Sequence, residues 1–166
     1  MFFNNKRISI SSYDPTIIYS PISGSLLPIE KVDDSTFSQK LLGDGIAIDP
    51  IDGNVYSPIK GKVVALFPTN HAIGLESESG ARVIVHIGIN TVHTNGKGFK
   101  SYVNQGDTVD AGQLLIKVDF KKVGADYSLT TMIVIENSAD YDIEKNQNSA
   151  IKSGQQLLKL TRKVTC

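Results

Sequence analysis

The sequence is poor in cysteine, has no excess of either charge and contains no long apolar run. Its one cysteine is the last residue, Cys166, which excludes an internal disulfide framework and a cysteine-based zinc cluster. Lysine plus arginine and aspartate plus glutamate are 17 each, a balance that argues against nucleic-acid binding, which needs a basic surface. No stretch approaches the roughly 18 apolar residues of a membrane-spanning helix, and residues 1–7 lack the layout of a signal peptide. We therefore expect a cytoplasmic protein.

Apolar residues make up 40% of the chain, which is enough to bury a core, and the length favours one domain. Residues 1–15 lack periodicity and are expected to form a poorly ordered tail, followed by a single domain over residues 16–166. Short β-rich segments separated by turn residues follow, at 17–19, 25–29, 46–49, 62–67, 72–75, 82–89, 113–118, 131–136 and 156–163. A short helix is predicted at 35–42, capped by Asp34 or Ser35 and ended by Gly43, with a weaker helical turn at 121–123.

Two short internal echoes indicate how the strands are arranged. Residues 20–24 recur at 57–61, each time as Ser-Pro-Ile-x-Gly before an apolar strand, and residues 106–115 are partly echoed at 153–158. Glycines in such echoes are typical of tight corners in a curved sheet. We therefore predict an all-β fold, a mostly antiparallel β-sandwich or partly open barrel of the barrel-sandwich hybrid type, with one or two short helical turns.

Two of the three histidines flank a predicted hairpin whose polar loop covers residues 76–80. A loop centred between Glu78 and Ser79 places His71 directly opposite His86, with the Cβ atoms about 5 Å apart. A loop centred between Ser79 and Gly80 makes the histidines diagonal neighbours, and an odd shift in register separates them. The alternation predicts one face with Ile84, His86, Gly88 and Asn90, and a core face with Val83, Val85, Ile87 and Ile89. Because Gly88 has no side chain, we expect room beside His86 for a ligand or partner.

A facing pair of imidazoles suits two kinds of chemistry. Two neutral rings can bind a metal if a third or fourth ligand is supplied. Alternatively, one ring nitrogen acts as a nucleophile while the second ring donates a hydrogen bond to the transferred group. With an ordinary pKa of about 6.5, a histidine is largely neutral near neutral pH. The residues alone leave both functions open.

Residues 80–92 resemble the phosphorylation-site signature of the glucose-type enzyme IIA proteins of the bacterial phosphoenolpyruvate-dependent sugar phosphotransferase system. That signature is a glycine, two variable residues, three apolar residues, then His, apolar, Gly, apolar, any residue, Thr and Val. The resemblance continues at 43–48, 67–72 and 96–99 and extends collinearly over about residues 17–161. It implies a mostly antiparallel β-sandwich, in agreement with the strand pattern.

The resemblance also implies a set of functional residues. His86 matches the histidine that carries the phosphoryl group on Nε2, and His71 matches the histidine that stabilises the phosphate. Thr69 matches a threonine that orients the imidazoles, and Asp44 matches an acidic residue near the rim of the site. We expect a docking surface for partner proteins around His86, formed by Asp44, Ile73, Ile87 and Asn90. Asn90 stands where many members have an aspartate, which removes one negative charge from that surface.

The family implies partners and an absence of cofactors. Its members accept phosphate from a phosphohistidine of the carrier protein HPr and donate it to a cysteine of the sugar-specific IIB domain, and some members bind regulatory partners. No cofactor is required, although zinc could bind His71 and His86, alone or with a partner's ligand. We expect a monomer that contacts the membrane only through the permease.

Two other functions fit parts of the sequence. Residues 103–114 and the Ser-Pro-Ile-x-Gly corners resemble carrier domains of the biotinyl or lipoyl type, although those carriers present a lysine at a hairpin tip, typically beside methionine. A zinc hydrolase of the related peptidase architecture is the second alternative. Such hydrolases usually contain a His-x-His pair, whereas His86 is followed by Ile87 and Gly88. His93 and Cys166 are expected to have no role in catalysis.

Overall fold

A computed structural model describes residues 6–164 of the chain. The expected tail residues 1–5, and Thr165 and Cys166 at the other end, lie outside the described residues. The prediction of an all-β fold is confirmed, since the described residues form fourteen strands and two short α-helices. The strands are β1 (Ile17–Tyr19), β2 (Gly24–Pro28), β3 (Asp44–Pro50), β4 (Asn54–Tyr56), β5 (Gly61–Leu66), β6 (Ala72–Ser77), β7 (Arg82–Ile87), β8 (Phe99–Ser101), β9 (Thr108–Val109), β10 (Leu114–Val118), β11 (Thr131–Ile135), β12 (Tyr141–Lys145), β13 (Ala150–Ile151) and β14 (Gln156–Arg162).

The strands pair in three antiparallel sheets. The largest sheet has eight strands in the order β13-β2-β3-β11-β7-β6-β5-β9, and two three-stranded sheets have the orders β1-β14-β12 and β4-β10-β8. Apolar side chains between the sheets form the main core, which includes Val83, Val85 and Ile87 of β7. The opposite face of β3, β11 and β7 is covered by a smaller apolar cluster around Phe37 and Met132. His86 belongs to a strand that therefore has apolar packing on both faces.

The helices are α1 (Ser35–Ser38) and α2 (Phe120–Gly124), and single 3₁₀ turns cover Ile29–Lys31, Thr91–Thr94 and Ser138–Asp140. The predicted cap of the first helix is confirmed, because the Asp34 carboxylate accepts a hydrogen bond from the Thr36 N–H at 3.0 Å. The helix is shorter than the predicted 35–42, since Lys40 adopts a left-handed conformation with φ of 58°. Among residues 6–164, no helix has the length and apolar character to cross a bilayer.

The first internal echo of the sequence corresponds to one repeated corner. Ser20 Oγ donates to the Ile22 carbonyl and Ser57 Oγ donates to the Ile59 carbonyl, both at 2.7 Å. The glycine that ends each segment approaches the neighbouring strand so closely that a Cβ atom there would lie 2.0 Å from a carbonyl oxygen. These two positions therefore require glycine, and the corners start β2 and β5.

Candidate active site

The register of the β6–β7 hairpin differs from both predicted registers. Ala72, not His71, pairs with His86, which is the odd shift that was expected to separate the two histidines. The cause is the loop, in which three residues lie between Ser77 and Ala81, and the Ser77 N–H donates to the Ala81 carbonyl at 2.9 Å. Gly80 takes the positive φ of 93° that such a loop requires. The predicted register is therefore wrong by one residue.

The two imidazoles nevertheless meet, because His71 precedes β6 and does not follow its alternation. Asn70 has a φ of 57°, which bends the chain before the strand starts. The His71 carbonyl accepts a hydrogen bond from the Ile87 N–H at 2.7 Å, so the backbone at His71 still adjoins the end of β7. The ring centroids of His71 and His86 are 4.9 Å apart, and the rings are almost perpendicular at 81°.

A hydrogen bond to the main chain fixes the tautomer of His86. Its Nδ1 lies 2.9 Å from the Gly88 carbonyl oxygen. Because a carbonyl oxygen can only accept, Nδ1 must carry the proton. In the neutral ring, Nε2 then has a free lone pair and is able to act as a nucleophile or a metal ligand.

Gly88 is required for this hydrogen bond, but not for the reason the sequence suggested. It has a φ of 81°, and a Cβ atom there would lie 2.3 Å from Thr91 Cγ2 and 2.8 Å from the Ser128 carbonyl oxygen. The expected room for a ligand above Gly88 is therefore filled by the protein itself, and that prediction is wrong. The positive φ instead ends β7 and turns the Gly88 carbonyl back toward the His86 ring.

Thr91 holds the same turn from the other side. It is fully buried, and its hydroxyl donates a hydrogen bond to the carbonyl of Ile87. The turn also changes the side on which Ile89 packs. Ile89 joins the smaller apolar cluster, so its predicted place on the main core face is wrong, whereas Val83, Val85 and Ile87 lie there as predicted.

The environment of His71 has two parts, one polar and one apolar. Thr69 Oγ1 forms a hydrogen bond with His71 Nδ1, and the expected orienting role of Thr69 stays a prediction. On the apolar side, the Phe67 and His71 rings pack in a T-shaped arrangement, with their centroids 5.5 Å apart and an interplanar angle of 74°. The His71 side chain is buried, whereas about two fifths of Phe67 is exposed.

Two residues beside His86 were missed as site residues by the sequence analysis. The Phe37 ring of α1 lies 4.9 Å from the His86 ring, between centroids, at an angle of 57°. Asp34, which caps α1, is close enough for its charge to act on the pKa of His86. The cap at Asp34 was readable from the sequence, but nothing in the local pattern linked α1 to a histidine some fifty positions later.

Burial keeps both imidazoles neutral, and at His86 the nearby His71 adds to this effect. Burial and, to a smaller extent, the nearby His71 lower the pKa of His86 to about 4, against the opposing effects of the Gly88 hydrogen bond and the Asp34 charge. Burial also lowers the pKa of His71. Near neutral pH, His86 therefore presents an uncharged ring with a free Nε2, and repulsion between two imidazolium ions does not arise.

The expected docking residues differ in their surroundings. Ile73 is 0% exposed and Ile87 1% exposed, because both point into the main core, so neither can contact a partner and that prediction is wrong. Asn90 is exposed, with a φ of 62°, at the start of the 3₁₀ turn that follows Gly88. Its side chain lines a groove of about 340 Å³ together with Asp33 and Asp126.

Asp44 lies farther along the sheet from the histidines. It pairs with Ile135 of β11, whereas His86 pairs with Met132 of the same strand, a separation of three residues or about 10 Å along the strand. Lys145 Nζ lies 2.7 Å from Asp44 Oδ1, and Lys40 Nζ lies 3.6 Å from it. Partial burial acts to raise the pKa of Asp44, but the hydrogen bond and charge of Lys145 outweigh it and hold the pKa below its usual value.

A metal would find two protein ligands at this site. Within residues 6–164, no group of three or more His, Cys, Asp or Glu side chains is arranged to hold a metal ion. His71 and His86 could therefore act only as part of a site that another molecule completes.

Comparison with known proteins places the chain among phosphoryl-transfer proteins of sugar transport. Residues 16–141 match the model of the family described as phosphoenolpyruvate-dependent sugar phosphotransferase system, EIIA 1. The chain belongs to this family. It is a phosphocarrier component of a sugar uptake system, and the biotinyl or lipoyl carrier and zinc hydrolase alternatives are not favoured.

The relatives agree in sequence and in fold. The chain is 40% identical over 141 residues to a PTS system glucose-specific EIIA component of Halalkalibacterium halodurans, covering 84% of this chain and 82% of that protein. It is also 40% identical over 147 residues to a PTS system beta-glucoside-specific EIIBCA component of the same organism, covering 87% of this chain but only 23% of that protein. The structure of glucose permease IIA from Mycoplasma capricolum superimposes with a TM-score of 0.81 at 32% identity, over 95% of this chain and 98% of the other.

Proposed function

We propose that His86 accepts a phosphoryl group on Nε2 from a phosphohistidine of HPr and passes it to a cysteine of a IIB domain. The observation that carries this proposal is the hydrogen bond from His86 Nδ1 to the Gly88 carbonyl. It leaves the lone pair on Nε2 rather than on Nδ1, and burial keeps the ring unprotonated. A nucleophile needs both conditions.

The transfer is two displacements at phosphorus. In the first, the lone pair of His86 Nε2 forms a bond to phosphorus while the bond from phosphorus to the HPr histidine breaks, and the electron pair of that bond stays on the HPr ring. In the second, the IIB thiolate attacks phosphorus, and the pair of the breaking bond returns to Nε2. The proton stays on Nδ1, donated in the hydrogen bond to the Gly88 carbonyl, in both steps, so no proton has to leave His86.

We propose that His71 and Thr69 stabilise the phosphoryl oxygens during both steps. If the Thr69 hydroxyl donates to Nδ1 of His71, the neutral ring carries its proton on Nε2. With its centroid 4.9 Å from that of His86, the His71 ring is near enough to donate this proton in a hydrogen bond to an oxygen of the group on His86. Hydrogen bonds to charged acceptors are roughly twice as strong as those between neutral groups, and preorganised donors favour the transition state.

The docking surface we propose differs from the one expected from the sequence. Phe67 replaces the buried isoleucines as the apolar contact beside the histidines, because it is exposed and adjoins His71. Asp44 and Asn90 are kept from the expected surface, and Asp34, which acts on the pKa of His86, is added to them as the polar surround. We further propose a cytoplasmic monomer with one domain at residues 16–166 and a tail at 1–15.

No cofactor is needed for this chemistry, since the phosphoryl group moves between two activated positions, a nitrogen and a sulfur. The relatives are described as glucose-specific and beta-glucoside-specific, so we propose a sugar of this kind as the final acceptor in the pathway.

The test is phosphorylation in a reconstituted system of phosphoenolpyruvate, enzyme I and HPr, followed by intact-mass measurement and assay of acid lability. We expect one acid-labile phosphate on the wild-type chain, none on His86→Ala, and normal labelling of the matched control His93→Ala. His71→Gln should accept phosphate but transfer it poorly to IIB. Full labelling of His86→Ala would identify a different acceptor and contradict the proposal.

A further inference from the structure

Five lysines lie on the surface formed by the turn before β8, by β8 and β10, and by α2. We call this surface the lysine face, and its members are Lys97, Lys100, Lys117, Lys121 and Lys122. Four of them are exposed and Lys117 is half-buried. Among the ion pairs within 4.0 Å in residues 6–164, none involves a member of the lysine face. The face therefore keeps its positive charge although the chain as a whole has a formal net charge of zero.

Two of these lysines are placed where their charges oppose each other. Lys100 of β8 and Lys117 of β10 are directly paired across the two strands. Both ammonium groups lie over the ring of Tyr102, at 5.1 and 5.8 Å from its centroid, in a shallow surface groove of about 440 Å³. Like charges that are directly opposite each other destabilise a sheet. An anionic surface placed against this pair would relieve the repulsion.

The short helix α2 extends the lysine face and adds an exposed apolar side chain to it. The Asp119 N–H donates to the Gly98 carbonyl at 2.8 Å, which holds the start of α2 against the start of β8. Phe120 is 38% exposed and directly precedes Lys121 and Lys122. Carboxylates also border the face: Asp119 caps α2 by accepting from the Lys122 N–H at 3.2 Å, and Asp126 shares a groove with Lys97 and Lys122.

We propose that the lysine face docks on the surface of an anionic lipid bilayer. Every cation of the face is a lysine, whereas protein–protein interfaces are enriched in arginine and depleted in lysine. A lysine ammonium is a flexible point charge, which suits attraction to mobile lipid headgroups. Exposed aromatic side chains among lysines are typical of segments that lie at the membrane interface.

This inference revises the expectation that the membrane is contacted only through the permease. It is independent of the phosphoryl-transfer proposal, because the lysine face does not include His71 or His86. Docking by the face would hold the domain beside a membrane-embedded acceptor even between transfer events.

The test is cosedimentation of the full 166-residue chain with vesicles of equal parts phosphatidylcholine and phosphatidylglycerol, compared with pure phosphatidylcholine. Each lysine near an anionic surface strengthens binding about fivefold, so Lys100→Gln/Lys117→Gln should lower the partition coefficient about 20- to 30-fold. The matched control Lys152→Gln/Lys159→Gln removes the same charge from the β13–β14 turn and β14. It should have a much smaller effect. Phe120→Ser should weaken binding when it is added to Lys100→Gln/Lys117→Gln. Added salt should weaken the binding of the wild type.

Several outcomes would overturn the inference. They are no binding to the anionic vesicles, equal binding to both kinds of vesicle, or equal losses in the two double variants. A loss confined to Lys6→Gln/Arg7→Gln would also overturn it, because the contact would then belong to the N-terminal segment. Cooperative thermal unfolding at or above the wild-type midpoint would show that each variant is folded, since removal of the opposed charges of Lys100 and Lys117 should not destabilise the sheet.

Discussion

Replacing Gly88 by alanine should test the reasoning that ties the turn after β7 to the chemistry of His86. Two costs follow from the geometry. The φ of 81° is a left-handed conformation, which costs an L-residue about 1–2 kcal/mol. The new Cβ atom would also lie 2.3 Å from Thr91 Cγ2 and 2.8 Å from the Ser128 carbonyl oxygen, and overpacking of this kind costs about 1–3 kcal/mol.

Gly106→Ala is the matched control for this experiment. Gly106 has a φ of 97°, but a Cβ atom there would have no neighbour within 4 Å. It therefore bears the conformational cost without the clash. We expect Gly88→Ala to lower the free energy of unfolding in urea by about 2–5 kcal/mol and Gly106→Ala by about 1–2 kcal/mol.

The chemical consequence can be measured on the same variant. Relief of the clash should move the Gly88 carbonyl away from His86 Nδ1, so that the proton of the neutral ring divides between Nδ1 and Nε2. Imidazole nitrogen shifts in NMR report this tautomer balance, and phosphorylation by HPr should slow in proportion to the loss of free Nε2. Equal unfolding costs in the two alanine variants, or an unchanged His86 tautomer in Gly88→Ala, would refute the reasoning.

Three further predictions follow from the site. Burial lowers the pKa of His86 in the folded protein to about 4, so between about pH 6.5 and 4 the unfolded chain binds more protons than the folded one. The free energy of unfolding should therefore fall by up to about 3 kcal/mol as the pH drops through that range. A His86→Gln variant that shows the same loss would contradict this. Phe37→Ala should destabilise the protein by about 3–5 kcal/mol in urea, since the ring is buried, and should raise the pKa of His86 in an NMR titration. Thr69→Val should slow transfer to IIB about tenfold or more, the scale of the hydrogen bond from His71 to the charged phosphoryl group that Thr69 is proposed to orient, while His86 still becomes labelled; an unchanged transfer rate would remove Thr69 from the mechanism.

The fold was readable from the sequence because its determinants are local. Alternating apolar residues, turn residues and two repeated Ser-Pro-Ile-x-Gly corners indicated a strand-rich sandwich, and the structure has these strands and corners. Helix lengths were less accurate, since the left-handed conformation of Lys40 that ends α1 has no strong local signal. The residue type alone does not predict a positive φ at lysine.

The sequence indicated that His71 and His86 lie close together, which the structure shows, but not how the chain brings them together. The register of β6 and β7 depends on a loop of three residues rather than two or four, and sequence spacing does not distinguish these lengths. His71 and His86 meet despite the shift because Asn70 bends the chain before β6. Ile73 and Ile87 were placed on the docking surface because they are apolar, but the sheet turns both side chains into the main core.

The contribution of Phe37 could not be inferred from local patterns, because it joins residues separated by about fifty positions. The lysine face is likewise formed by residues that are far apart in the sequence. Its members come from two strands, a helix and the turn before β8, and only the pairing of β8 with β10 shows that Lys100 and Lys117 oppose each other. Long-range packing of this kind is decided by topology and not by composition.

The acceptor that orients the His86 ring is a peptide carbonyl, with consequences for how the site can change over generations. A codon change can swap a side chain, but every amino acid brings the same carbonyl, so no single mutation deletes this group. Mutations can move this carbonyl only by changing the shape of the turn at Gly88. Side-chain substitutions near His86 that keep the shape of this turn therefore leave the acceptor of the Nδ1 hydrogen bond in place.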